Sequence, residues 1–274
     1  MSKALLRKLP VYALLIFFAV LFLFPFFWTV TSAFKAEAEL HAYPPVWIPS
    51  SFRLDNFIEA WLSQPFTQYF FNSSLVVIGT TIGQLISCSL VAYGFARFSF
   101  KGRDVLFIIL LATMMVPWDV TMIPMYMEFN AFGWINTLKP LIIPAWFGSP
   151  FYIFLLRQFL LNIPKELEEA ALLDGANHFQ IYSKIYMPLV KPTLVLIAVF
   201  NSLSVWNDYL GPLIFLNDQS KYTLTLGLAQ FKGVGDVNMS AIMAITSIIC
   251  IPPLIGFFFA QKQIIEGISS TGIK

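Results

Sequence analysis

The residues whose types and spacing suggest work lie in one stretch, 161–192, which reads LNIPKELEEAALLDGANHFQIYSKIYMPLVKP. Glu166, Glu168 and Glu169 crowd what reads as a first helical turn, where the helix dipole favours acids. Pro164 stands just ahead, where a helix start tolerates proline. Ala170, Ala171, Leu172 and Leu173 continue a good helix, and Asp174-Gly175 stops it, because glycine reaches positive φ without a Cβ clash. Asn177, with Gln180 three residues on, reads as a capping-box variant that starts a second helix. On that helix Phe179, Tyr182 and Tyr186 recur at three- and four-residue spacing and share a face, and Pro188 and Pro192 end it. The expectation is a helix–glycine–helix hairpin whose tip is kept narrow by alanine and glycine. Its chemistry is not bond-making: a narrow, partly apolar tip suits insertion into a cleft on another protein. Taken alone, Glu169 reads as a solvated first-turn acid.

A second set of polar residues stands inside apolar runs, where each is a functional hypothesis by default. Ser73, Thr80, Thr81, Gln84, Ser87 and Cys88 fall on one face at helical spacing, beside a Gly79-x-x-x-Gly83 pair that permits close helix packing. This stripe either lines a pore or bonds to neighbouring helices. Asn201, Ser204 and Asp208 share another face, open to the same two readings: contact with a hydroxylated ligand, or interhelical hydrogen bonding. Pro117, Trp118 and Asp119 interrupt an apolar run and mark a kink or gate. Cys88, Cys250, His41 and His178 show no metal-ligand spacing, and no HExxH or GxxxxGK[ST] motif occurs. A chain without a phosphate-cradling loop is not expected to bind ATP itself.

The elements that must position these residues are membrane spans. The 274-residue chain is 58% hydrophobic and 12% charged, against about 25% charged for an average soluble domain. Its mean hydropathy is +0.73. A globule this apolar could not cover its own surface, whereas lipid contact removes the problem. The net charge of +2, without basic runs, excludes nucleic acid as a natural partner. Six apolar runs are long enough to span, at roughly 11–31, 70–96, 104–123, 139–160, 193–214 and 240–260. The first exceeds a signal-peptide core, so it is expected to be retained. With the N-terminus inside, twelve Lys and Arg face inward and five outward, which places both termini in the cytoplasm. The 32–69 loop then lies outside, stiffened by Pro44, Pro45 and Pro49, with Trp47 and Trp61 suited to the interface. It reads as a docking loop or as a packed re-entry loop. The fold class is thus all-α and polytopic, a single transmembrane domain over 1–274 with the hairpin between spans four and five.

The hairpin resembles the EAA loop of bacterial ABC importer permeases of the carbohydrate-uptake type. Glu169-Ala170-Ala171, then Asp174-Gly175-Ala176 and Pro188, match its pattern, flanked by Ile163-Pro164 and Leu189. Phe24-Pro25-Phe26, Tyr93 to Arg97 with Gly102-Arg103, Trp206-Asn207-Asp208 with Pro212-Leu213, and the tail Gln261-Lys262 and Glu266-Gly267 extend the likeness to the MalG-like permease. The resemblance implies half of a heterodimeric pore in the bacterial cytoplasmic (inner) membrane. It implies a second, MalF-like permease, two MalK-like ATPase subunits that carry the ATP and magnesium, and an extracytoplasmic sugar-binding protein. Lipid surrounds the spans, and no cofactor is expected on this chain. Glu169 is then expected to pair with a basic residue of the ATPase, with Gly175 permitting the bend. A secondary transporter, which would want buried acid relays or repeats, and a membrane enzyme are the competing classes. Within the family, a phosphate ester or polyol is the competing cargo.

Overall fold

The computed structural model describes the backbone of residues 3–231 and 238–269, and the side chains of Lys8, 10–229 and 238–262. Readings that rest on the side chains of Lys3, Arg7, Lys232, Glu266 and Lys274 lie outside the described residues. Every regular element among the described residues is helical. In chain order they are α1 (Lys3–Ala33), α2 (Glu37–Leu40), α3 (Asp55–Ser63), α4 (Phe66–Arg97), α5 (Arg103–Ala112) and α6 (Trp118–Ala131). There follow α7 (Lys139–Ile142), α8 (Pro150–Leu161), α9 (Glu166–Leu173), α10 (His178–Ile181) and α11 (Met187–Leu189). The chain continues through α12 (Lys191–Trp206), α13 (Leu210–Phe215), α14 (Leu224–Phe231) and α15 (Met239–Ser269).

Four of the described helical stretches are long and apolar enough to cross a membrane: Pro10–Ala33, Phe66–Arg97, Lys139–Leu161 and Met239–Lys262. Two bent pairs bring the number to six if each is one span. The third expected span falls on one of them. Its helix runs from Arg103 to Met115 and then turns by 97° into α6. Pro117 sits at the corner in extended backbone, where it lacks the N–H that would carry the helix through. The fifth expected span, 193–214, is shorter than the sequence suggested. It ends at Trp206, and α13 restarts it at Leu210. Upstream, it joins His178–Leu189 at a 74° bend.

The chain divides into two compact units. One comprises Met1–Thr67 with Gly227–Ile251. Here the 32–69 loop is packed: the Trp47 ring lies 5.7 Å from Trp28 and 5.9 Å from Phe24 on α1. Lys35 is fully buried, with its Nζ 4.1 Å from the centre of the Trp28 ring. Glu37 closes the start of α15. Its carboxylate accepts the Met239 and Ser240 amides at 3.0 Å each and the Ser240 hydroxyl at 2.9 Å. Burial pushes the Glu37 carboxyl up, but these donors outweigh it and hold its pKa below the usual carboxylate value.

The other unit comprises Gln68–Leu226 with Pro252–Lys274. Its core joins α4, α8, α12 and the hairpin through Cys88, Ala92, Tyr93, Leu156, Ile181 and Tyr186, among others. The Gly79/Gly83 pair is explained by crowding: a Cβ on Gly83 would lie 2.6 Å from Trp146 Cδ1, and one on Gly79 would lie 2.9 Å from Ile142 Cγ2.

Candidate functional site

The hairpin forms as its local chemistry dictates. At the end of α9, Gly175 takes φ +84°. The Ala176 amide donates to Ala171 O at 2.9 Å and the Gly175 amide to Leu172 O at 3.0 Å, the paired bonds of a Schellman stop. A Cβ at Gly175 would meet nothing within 4 Å, so glycine serves the backbone dihedral here and not space. The second arm starts with a complete capping box: Asn177 Oδ1 accepts the Gln180 amide at 2.9 Å, and Gln180 Oε1 accepts the Asn177 amide at 2.8 Å.

Beyond that point the structure corrects the sequence reading. Pro188 does not end the second arm; it lies inside α11, and the helix breaks at Val190 instead. Tyr182–Tyr186 forms a π turn immediately before it. The wider turn relieves the clash that a prolyl ring makes with the carbonyl four residues back. Tyr182 and Tyr186 point inward, each ring 5.4 Å from Tyr93, and Phe179 lies 6.2 Å from the Tyr182 ring on the same face but is itself 71% exposed.

The hairpin therefore has two ends of opposite character. At the tip Glu169, Ala170, Asp174 and Gly175 are exposed, and Leu173 is 89% exposed. Ala171 and Ala176 face back and pack on the core, and Pro188 is exposed at the far end of the second arm. At the root, Tyr186 is 0% exposed and its hydroxyl donates to Glu168 Oε2 at 2.7 Å. Glu168 thus faces inward while its neighbour Glu169 faces out. Arg97, at the end of α4, stacks its guanidinium 4.5 Å from the Tyr186 ring centre. Its Nη2 donates to Leu160 O and, at 2.7 Å, to Ile163 O, where α8 ends. Sequence reasoning missed Glu168 and Arg97 as a pair of anchors. The available signal was Ser89, Tyr93 and Arg97 at four-residue spacing on α4.

The in-span polar residues are not gathered into one site. Asn201 is buried and donates to Thr81 Oγ1 at 2.9 Å and Thr80 Oγ1 at 3.2 Å, tying α12 to α4. Thr81 and Ser202 add a hydroxyl pair at 3.2 Å. Gln84 accepts from Cys88 Sγ at 3.1 Å, and Ser87 donates to Gly83 O at 2.7 Å. Ser204 is exposed. Asp208 is half-buried just past α12 and lines a cavity of about 380 Å³ with Trp118, Met125, Pro140, Leu141 and Pro144. Its Oδ1 accepts the Gly211 amide at 3.2 Å, and a Cβ at Gly211 would strike Asp208 Oδ2 at 2.5 Å. Ser32 and Lys35, which resemble the end of a permease's first span, also stand at the S-x-x-K spacing of a nucleophile and its base. Lys35 Nζ stands 3.5 Å from Ser32 Oγ, but both residues are fully buried, out of a substrate's reach. Among the described residues no cluster of His, Cys, Asp and Glu could hold a metal.

Known proteins place this arrangement in a class. Residues 86–269 match the profile of the binding-protein-dependent transport system inner membrane component. The diacetylchitobiose uptake system permease protein NgcG of Streptomyces coelicolor is 31% identical over 94% of this chain and 86% of its own. The arabinooligosaccharides transport system permease protein AraQ of Halalkalibacterium halodurans is 32% identical over 94% and 93%. A solved bacterial ABC transporter involved in the import of the acidic polysaccharide alginate shares the fold, with a TM-score of 0.81, 24% identity, and coverage of 96% of this chain and 98% of that one. The chain belongs to the binding-protein-dependent transport system inner membrane component family. It is a permease subunit of an ABC importer, an inner-membrane component that works with a binding protein and other subunits, and hydrolysis belongs to a separate subunit.

Proposed function

We propose that this chain is one half of a heterodimeric sugar-import pore in the bacterial cytoplasmic membrane, coupled to an ATPase subunit through the 161–192 hairpin. Both termini and the hairpin lie on the cytoplasmic side, as the Lys/Arg bias of the loops favours. The partners are a MalF-like permease, two MalK-like ATPases holding ATP and magnesium, and an extracytoplasmic sugar-binding protein. This chain itself holds no cofactor. The observation that carries the reading is the hairpin's division into an exposed tip, with Leu173 and Phe179 bare beside Glu169, and a root locked into the core.

The coupling works by differential contact. Glu169, at the N-terminal half of α9, is free to meet a basic residue of the ATPase. The apolar tip fills the ATPase cleft, and Gly175 sets the turn that keeps it narrow. Closure of the ATPases on ATP draws the hairpins together and turns the pore outward, an equilibrium biased by the state each ligand prefers. The cargo is a mono-, di- or oligosaccharide. The relatives' diacetylchitobiose and arabinooligosaccharides support this. So does the cavity lined by both Asp208, whose carboxylate can accept from sugar hydroxyls, and Trp118.

The test is purification of the chain in gentle detergent. An ATPase subunit is expected to accompany it, and its rate is expected to rise with a binding protein loaded with one sugar. A chain that purifies with no nucleotide-binding partner, yet moves solute in liposomes, is a secondary transporter instead.

A further inference from the structure

The second arm of the hairpin is held by a ladder that no motif predicts. Ser89, Tyr93 and Arg97 stand four residues apart on α4 and so share one face. Each meets an aromatic of the second arm. The Ser89 and Tyr182 hydroxyls pair at 2.7 Å. Tyr93 packs its ring on both Tyr182 and Tyr186. Arg97 covers the Tyr186 ring and ties the end of α8 through Leu160 O and Ile163 O. The last rung crosses to the first arm, where the buried Tyr186 hydroxyl reaches Glu168. The guanidinium is committed: its Nε is buried without a partner, and its Nη2 serves two carbonyls. Arg97 as a whole is half-buried, and its charge is met by these carbonyls and by the face of the Tyr186 ring. The π turn that presents Tyr182 and Tyr186 to the ladder is itself a feature common at functional sites.

We infer that Tyr186, with Glu168 and Arg97, is the positioning element that carries hairpin movement into α4 and α8. The inference rests on the coupling role proposed for the hairpin. Glu169 meets the ATPase from outside, while Glu168, one residue earlier, passes the displacement inward through Tyr186. The Glu168–Tyr186 bond joins the first arm to the aromatic that packs on α4, and packed elements transmit shifts as discrete rearrangements. Tyr186→Phe removes only the hydroxyl and keeps the buried ring. Glu168→Gln removes the charge and keeps an acceptor for that hydroxyl.

The experiment is hydrogen exchange on the purified complex of this chain with its partner permease and ATPases, with and without a non-hydrolysable ATP analogue. In the wild type, the analogue is expected to change exchange in the hairpin, 166–189, and in the end of α4, 89–97. In Tyr186→Phe the ATPase still copurifies and the hairpin still responds, but the α4 response falls about tenfold, the size of an ordinary coupling term. Glu168→Gln stays within about twofold of the wild type, because the bond it preserves is the one that matters. An undiminished α4 response in Tyr186→Phe overturns the inference. So does loss of the hairpin response or of the ATPase in that variant, since the bond would then only support the fold. A wild-type hairpin indifferent to nucleotide, or a complex without any ATPase, instead removes the coupling role beneath it.

Discussion

The tip and the root of the hairpin are about a dozen residues apart in sequence and opposite in character. Leu173 and Phe179 at the tip leave most of their apolar surface bare, while Tyr186 at the root is sealed. On the reading proposed above, the apolar residues bared beside acids at the tip are covered by the ATPase in the assembled importer. A sealed tyrosine whose hydroxyl is matched to a carboxylate is a structural joint. The same 30-odd residues are therefore exposed at one end and sealed at the other.

The largest expected effect sets the two ends against each other. Tyr186→Ala empties a buried site and is expected to cost about 3–5 kcal/mol in denaturant titration of the chain. Phe179→Ala is expected to change stability by less than about 0.5 kcal/mol yet weaken ATPase retention on a column. Equal losses of stability from the two would erase the distinction between tip and root. Next come the glycines. Gly83→Ala drives a methyl into Trp146 and is expected to cost about 1–3 kcal/mol. Gly175→Ala meets no atom, so its penalty is the dihedral alone, about 1–2 kcal/mol, and Gly175→Asn recovers most of it. Transport assays should follow that order at residue 175, with Gly175→Val worst. A Gly175→Val protein that couples normally would show that the turn is unnecessary.

Smaller effects compare two helix starts. Asn177→Ala removes the cap of the second arm and is expected to cost about 1 kcal/mol, at any pH, in the same titration. Glu37 caps α15 with a group that titrates. Its folded pKa lies below the unfolded value, so its contribution is complete above the ordinary carboxylate pKa and is lost as pH falls through the lowered one. Exchange of the Met239 and Ser240 amides should therefore gain an acid-dependent component that the Gln180 amide lacks. Identical pH profiles at the two starts would remove Glu37 as the cap that matters.

Much of this was legible in the sequence because it is local. Asp174-Gly175 and Asn177-x-x-Gln180 encode a stop and a start within a few residues, and both bonds formed as read. Pro117 marked its bend for the same reason. What escaped depends on phase and on distant partners. A π turn is not visible in an apolar period, and the shared face of Phe179, Tyr182 and Tyr186 does not reveal that its Phe179 end is bare. Glu168 and Glu169 look alike in sequence; only the return of Tyr186 beside α9 separates the inward acid from the outward one. Asn201 read equally as pore lining or helix pairing, and its two threonine partners lie about 120 residues away. The Glu37 bonds to α15 span about 200 residues, beyond any local signal.

A photo-crosslinker placed at residue 173 and, separately, at residue 189 in the assembled importer separates the tip from the root. Residue 173 is expected to crosslink to an ATPase subunit, more strongly with ATP, and residue 189 not to that subunit. Transport that proceeds normally while 173 crosslinks only to lipid, or to nothing, would contradict the tip's coupling role.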